Sequence, residues 1–250
     1  MDRKLVAALA CRNAGSRLYG KPLQNLDIEN GVSVLQYMVN WIKTVPEINI
    51  IVLGISEGID NLNYIEFSKE NNLTYIIGDE RDVLGRLIQC ADRCQATDIF
   101  RLTTESPFTY FEAIENAWRE HVDGEYDLSS LDNLPDGSGF EIIRLDAYKY
   151  SHAHGEDRHR SELCSLYIRE NKNRFKIKYI DMPESIKRTD IRLTIDYPED
   201  LILCRAVYKH FKHLAPKIPL AYIITYLDEN PQLKAIVDPF IEEGLKTMYL

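Results

Sequence analysis

Between Cys11 and Lys21 the chain places three cations, Arg12, Arg17 and Lys21, among two glycines, Gly15 and Gly20, and Ser16. Glycines let a backbone approach a ligand closely and turn its N–H groups outward. Arginine and lysine supply the positive charge that a polyphosphate needs. A short basic run is more often a solvated turn. Here the run follows directly on an apolar segment and is interleaved with glycine, which favours phosphate binding. It is not a P-loop, because no Gly-Lys-Ser/Thr stands at the required spacing. Nor is it a dinucleotide fingerprint, because Gly-x-Gly-x-x-Gly is missing.

Further groups able to do chemistry lie along the chain, each with a plainer rival reading. Asp82 and Arg86 follow an apolar segment, where Asp82 could simply cap a helix. Asp196 precedes Pro198, so it too could serve a helix start, and Asp200 complements that N-terminus. Glu141 sits in an alternating stretch, where a buried ion pair competes with a ligand role. His152, His154 and His159 lie among Glu156, Asp157, Arg158 and Arg160. Metal clusters can look like this, but the composition reads better as a polar, mobile segment. His210 and His213 share a helix face without a third ligand. Cys90 and Cys94 are spaced for core packing on one helix.

The elements that must position these groups alternate. Residues 5–11 are continuously apolar, as a strand buried on both faces should be. Residues 48–54, 74–77 and 98–102 read as further strands, and 33–44, 62–71, 83–95 and 109–121 as helices. This rhythm predicts an α/β sheet with ligands outside the carboxyl ends of the strands. The loops after residues 11, 55, 78 and 102 are therefore expected to converge. From about 124 the rhythm changes. Asp132 to Gly139 is turn-like, 140–144, 174–180 and 190–196 read as strands, and 159–172 as a polar helix. The last fifty residues read as helices broken at Pro216, Pro219, Pro231 and Pro239. No repeat or linker appears, so residues 1–250 are expected to form one domain with an inserted arm at about 125–190.

Composition removes several classes of function. The 250 residues carry 30 Lys and Arg against 39 Asp and Glu, a net charge of −9. That excess argues against a nucleic-acid partner. With 45% hydrophobic residues the chain is not a disordered tail. No apolar run reaches the roughly 18 residues of a membrane span. The apolar stretch near the start ends at Arg12 with no small-residue cleavage site, so it reads as a strand and not as a leader. Five scattered cysteines suit free thiols in a reducing cytoplasm.

Five segments, in order, resemble the bacterial cytidylyltransferases. The family includes the CMP-3-deoxy-manno-octulosonate and CMP-sialate synthetases and, nearest to this sequence, the spore-coat-polysaccharide type. Cys11-Arg12-x-x-Gly15-Ser16-Arg17-Leu18-x-Gly20-Lys21-x-Leu23 is similar to the family's Ala-Arg-x-x-Ser-x-Arg-Leu-x-Gly-Lys-x-Leu. Gly78-Asp79-x-x-Asp82-Val83-Leu84-Gly85-Arg86, Arg101-Leu102-Thr103-Thr104-Glu105-Ser106-Pro107, Pro135-Asp136-Gly137-x-x-x-Glu141 and Arg192-Leu193-Thr194-Ile195-Asp196-Tyr197-Pro198-Glu199-Asp200-Leu201 follow. Two departures stand out. Glu105 takes the place of an Asp, with Thr104 before it where Gly is usual. Ser161-Glu162-Leu163-Cys164-Ser165 stands where the spore-coat type has Arg-Glu-His-Val-Thr.

The resemblance implies a Rossmann-like, mixed, mostly parallel sheet covered by helices, of the nucleotide-diphospho-sugar transferase type, with the arm serving a homodimer. It implies CTP as donor, an anionic acceptor such as a 2-keto-3-deoxy acid sugar, pyrophosphate as leaving group, and a role in cell-envelope glycan synthesis. It gives Arg12 and Lys21 the catalytic work on the triphosphate, supported by Ala10, Gly15, Ser16, Asp82 and Arg86 around the nucleotide. Arg17 either joins them or pairs with an acid to hold the loop. Asp136 and Glu141 face the acceptor, and Glu105 and Asp196 hold Mg2+. Two rival functions remain at this point. One is nucleotidyl transfer with another nucleoside triphosphate, or to a phosphonate or phosphorylated acceptor. The other is nucleotide binding without catalysis.

Overall fold

The computed structural model describes residues 3–15 and 17–245. Leu, Val and Ala fill the first six positions of β1 (Leu5–Cys11), so the strand has no polar face and is buried almost throughout. Its alternation splits the interior in two. Leu5, Ala7 and Leu9 face one core and Val6 and Ala8 the other. A short hairpin of β2 (Asn25–Asp27) and β3 (Val32–Ser33) follows the first loop. Ser33 then caps α1 (Val34–Ile42), its hydroxyl accepting from the Gln36 N–H at 3.0 Å.

The chain continues through β4 (Ile48–Ser56), α2 (Leu62–Glu70), β5 (Thr74–Gly78), α3 (Val83–Arg93) and β6 (Asp98–Arg101). β5, β4, β1 and β6 lie side by side and parallel. Beyond β6 the direction reverses. After α4 (Ile114–Asp123), β7 (Leu128–Ser130) and β8 (Glu141–Arg144) run antiparallel to each other, with β8 beside β6. α5 (Leu145–His154), α6 (Leu166–Glu170) and β9 (Ile177–Tyr179) complete this part, with β9 at the edge beside β7. The result is a mixed, mostly parallel seven-stranded sheet between helices. α7 (Pro198–Phe211), α8 (Leu220–Glu229), α9 (Pro231–Val237) and α10 (Ile241–Leu245) close the chain. Among the described residues no helix is long and apolar enough to cross a membrane.

Residues 125–190 contribute three strands to the main sheet. The second half departs from the sequence expectation in two ways. The helix expected over 159–172 shrinks to α6. The strand expected over 190–196 forms a single bridge, between Asp136 and Arg192, and bends at Thr194 and Asp196. Its partners change along its length, which prevents a ladder. The Asp136 N–H donates to the Ile191 carbonyl and the Leu193 N–H to the Asp136 carbonyl, at 2.9 and 2.7 Å. Two residues later the Ile195 N–H donates to the Glu105 carbonyl at 3.0 Å.

The amino end of β6 buries a polar cluster. Asp98 receives Arg3 and Thr97 and lies 3.2 Å from His121 Nε2, whose Nδ1 lies 2.8 Å from the Ser129 hydroxyl. The order serine, histidine, aspartate suggests a nucleophile, but all three side chains are sealed from solvent. The cluster is structural.

Candidate active site

The carboxyl ends of β1 and β6 open into a cavity of about 350 Å³. The first loop forms one wall. Its ends are tied by the Gly20 N–H donating to the Asn13 carbonyl at 2.9 Å. Gly20 has φ 59°, which suits glycine, and starts the single turn Lys21–Leu23. At Gly15 a Cβ would stand 2.6 Å from the Leu18 carbonyl oxygen, so only glycine lets the loop fold this tightly. Asn61 and Asn63, beyond β4, hold Asn13, and the Tyr64 hydroxyl donates to the Arg12 carbonyl at 3.1 Å. The fold thereby aims Arg12, Arg17 and Lys21 at the cavity, and all three line it. Ala10 lines it too, its carbonyl accepting from the Thr104 hydroxyl at 3.0 Å. That contact gives the unusual threonine a role: it ties the end of β1 to the loop after β6. Ser16 lies outside the described residues.

Lys21 crosses to the opposite wall, its Nζ 2.6 Å from Asp196 Oδ1. Arg192, almost fully buried, organises that wall. Its guanidinium donates to Asp196 Oδ2 at 2.8 Å, to Asp136 Oδ2 at 2.5 Å and to both oxygens of Asp200 at 2.8 and 3.0 Å. Asp200 also accepts from the Asp196 and Tyr197 N–H groups, fixing the start of α7. Burial alone would push the Asp196 carboxyl up. Lys21 and then Arg192 outweigh it and hold the group below its ordinary value. Asp136 is pushed up to about 6, first by burial, against the pull of Arg192 and with Asp196 and Asp200 adding to the rise. Glu105 is also raised. Burial is the main cause, Lys21 opposes it, and Asp196 and Glu162 reinforce it.

The far end of the cavity is lined by Glu141 with Arg101 and Arg169. Glu141 is buried and accepts from Arg101 Nη1 at 2.9 Å, Arg169 Nη2 at 2.9 Å and the Ser165 hydroxyl at 2.5 Å. Burial would raise its carboxyl, but the two arginines and Ser165 hold it low. Arg169 also forks onto Asp132 at 3.0 and 3.1 Å. This is the buried ion pair that rivalled a ligand role for Glu141 in the sequence.

Asp82 stands differently from its expected place. Its Oδ1 accepts from the Gly85 N–H at 2.8 Å as the cap of α3, and its Oδ2 lies 2.6 Å from His152 Nε2. It is not among the residues lining the cavity, so the capping reading accounts for it. Arg86 does line the cavity, but it is buried and donates to the Asp79 and Glu80 carbonyls at 3.0 and 3.3 Å. His159 is buried against Glu170 at 2.9 Å, so the histidine tract is ordered structure and not a mobile segment. Among the described residues no group of three or more His, Cys, Asp or Glu gathers as a metal site.

Several site residues were not singled out in the sequence. Arg101 and Arg192 carried a signal, a charged residue within an otherwise apolar stretch, and each opens one of the five resembling segments. Glu162 carried one too, as the residue shared with the spore-coat type's Arg-Glu-His-Val-Thr, whereas Asp132 and Arg169 carried none, since chain folding alone brings them to the cavity.

The sheet and the order of its strands are those of cytidylyltransferases of known structure. The chain superposes on a cytidylyltransferase from Leptospira borgpetersenii with a TM-score of 0.83 at 20% identity, over 93% of this chain and 97% of that one. It superposes on CMP:2-keto-3-deoxy-manno-octonic acid synthetase, in complex with CTP, with a TM-score of 0.64 at 15% identity, over 83% of this chain and 99% of that one. In sequence it is 24% identical over 226 residues to the spore coat polysaccharide biosynthesis protein SpsF of Bacillus subtilis, covering 89% of this chain and 93% of that protein. It is 28% identical over 233 residues to an uncharacterized protein of Methanocaldococcus jannaschii, covering 93% of this chain and 94% of that protein. No protein-family model matches the chain.

Proposed function

We propose that the chain transfers a cytidylyl group from CTP to an oxygen of a small anionic acceptor. The acceptor oxygen, losing its proton, bonds to the α-phosphorus as the bond to the bridging oxygen of the β-phosphate breaks, and pyrophosphate leaves. The observation that carries the proposal is the three-cation loop facing Asp196 and Glu105 across one cavity. Arg12 and Lys21 neutralise the triphosphate as charge moves to the leaving group. Arg17 and the loop N–H groups orient it, and Ala10 and Arg86 border the nucleotide. Asp136 presents a carboxylate to the acceptor side. Glu141 acts as a positioning residue, through Arg101 and Arg169.

Magnesium takes oxygen ligands and keeps several waters, so Glu105 and Asp196 fit it. Glu105 is raised by burial and by the charge of Asp196, and a divalent cation would relieve both. When bound it would supply charge neutralisation on the triphosphate. Cell-envelope glycan synthesis is the role we favour, supported by the likeness to the spore coat polysaccharide biosynthesis protein. A cytoplasmic setting fits five free cysteines. A homodimer through residues 125–190 fits β9, whose outer edge ends the sheet there.

Pyrophosphate release with magnesium tests this reading. The four nucleoside triphosphates are crossed with acidic sugars, phosphonates and sugar phosphates. Release that needs CTP and one acidic acceptor is expected. Release with another triphosphate in its place rejects the cytidylyl assignment, and silence together with no CTP binding rejects the reading altogether.

A further inference from the structure

We infer that Glu162 and Glu243 are built-in competitors for the polyphosphate site: each holds one arginine of the first loop and must surrender it when a polyphosphate binds. The inference rests on the phosphate-binding reading of that loop. Arg12 Nη2 lies 2.6 Å from Glu162 Oε1. Arg17 Nη1 lies 4.0 Å from Glu243 Oε1, and its guanidinium sits 4.9 Å over the Tyr197 ring.

Both glutamates come from distant segments, and the backbone beside Glu162 is anchored. In the connection between α5 and α6, the Leu84 N–H donates to the Arg160 carbonyl at 3.0 Å and Arg101 Nη2 to the Glu162 carbonyl at 2.5 Å. The side chain of Glu243, in α10, accepts from the Tyr197 hydroxyl at 2.9 Å, and the Tyr197 ring stacks on Phe240, just before the helix, with centroids 4.1 Å apart. Both carboxylates stand largely in water, the Glu162 and Glu243 side chains being 72% and 57% exposed, although Glu243 must also release the Tyr197 hydroxyl. Each can turn into water without moving its backbone.

The third cation of the loop behaves otherwise. Lys21 and Asp196 are only 19% and 21% exposed, and Arg192 pins the aspartate from behind. The three cations thus meet three carboxylates, and the loop is locally neutral. A ligand with several negative charges reaches Arg12 and Arg17 only by replacing the glutamates. Exposed pairs are weak, so a polyphosphate wins that exchange. A ligand with a single phosphate competes poorly, which favours substrate entry over retention of a monophosphate-linked product.

The test measures binding of inorganic tripolyphosphate and of CTP, with magnesium, to the full chain by calorimetric titration. Glu162→Gln and Glu243→Gln keep side-chain shape at exposed positions and remove the charge. Each is expected to tighten tripolyphosphate binding by roughly two- to fivefold, and the two gains should multiply in the double variant. If the glutamates instead position the arginines for the ligand, the variants bind more weakly. Unchanged or weaker binding in either single variant overturns the inference, as does tripolyphosphate that binds no form. Tightening for tripolyphosphate without any preference for CTP among the triphosphates leaves the exchange standing and removes the cytidylyl reading instead.

Discussion

In the first loop, Arg12 and Arg17 meet glutamates that stand mostly in water. On the opposite wall and at the far end of the cavity, Arg192 and Arg169 meet carboxylates that are largely buried. The cation content is similar, but the availability is not. An exposed pair contributes little and exchanges readily, whereas a buried pair is costly to break because the survivor is left uncompensated. The loop therefore offers charge to a ligand. The buried wall spends its charge on holding Asp132, Asp136, Glu141 and Asp196 in place.

The comparison is broken most directly at Arg192. Arg192→Met leaves Asp136, Asp196 and Asp200 without their shared partner, and the protein should lose about 3–5 kcal/mol of stability in chemical denaturation. A loss below about 1 kcal/mol would mean that the buried wall is no more committed than the loop. Lys21→Ala should do the reverse. It should lower kcat/KM by roughly a hundredfold or more at a far smaller cost in stability than Arg192→Met, because Arg192 still compensates Asp196. Asp196→Asn should abolish the magnesium dependence of activity or activity itself, and an unchanged magnesium titration would reject it as a ligand.

Acid provides a third, smaller probe, remote from both regions. Burial holds the His121 imidazole below the ordinary histidine value, with Asp98 pulling the other way. The unfolded chain binds that proton more readily, so stability is full above pH 6.5 and falls as pH drops below it. Asp98 is also lowered, the bonds from His121 and Arg3 outweighing its burial, so its own loss begins only below pH 3.8. His121→Gln should flatten the first decline, at most about 1.4 kcal/mol per pH unit, while the second persists through Arg3. The smallest effect belongs to Asp82. Asp82→Ala should cost about 1 kcal/mol of stability through the lost cap while the KM for CTP stays unchanged. A raised KM would return Asp82 to the nucleotide site.

The two halves also differ in how far the sequence revealed them. β1 could be read because a strand covered on both faces is apolar without interruption, and β4, β5 and β6 because each carries a short run of β-branched or aromatic residues. The first loop could be read because its cations and glycines are neighbours in the chain. β7 could not: Leu128-Ser129-Ser130 is three residues long and two of them are serines. α5 was missed because Tyr148 and Ser151 are buried on a helix with weak apolar periodicity, and its histidines drew attention to polarity instead. Residues 190–196 alternate like a strand, yet their neighbours are two different loops, which no local pattern can announce. Asp132 and Arg169 became site residues only through tertiary packing.

The hydrogen bond from the Ile195 N–H to the Glu105 carbonyl has an evolutionary consequence. It fastens together the backbones that carry the two facing acids, although most of the acceptor half of the chain runs between them. Insertions, deletions and drift within that intervening stretch can alter what the acceptor meets without changing the spacing of Glu105 and Asp196. The intervening stretch can diversify behind a fixed gauge, and a longer side chain at 105 is accommodated by its own rotamer more readily than by a shift of the tethered backbone.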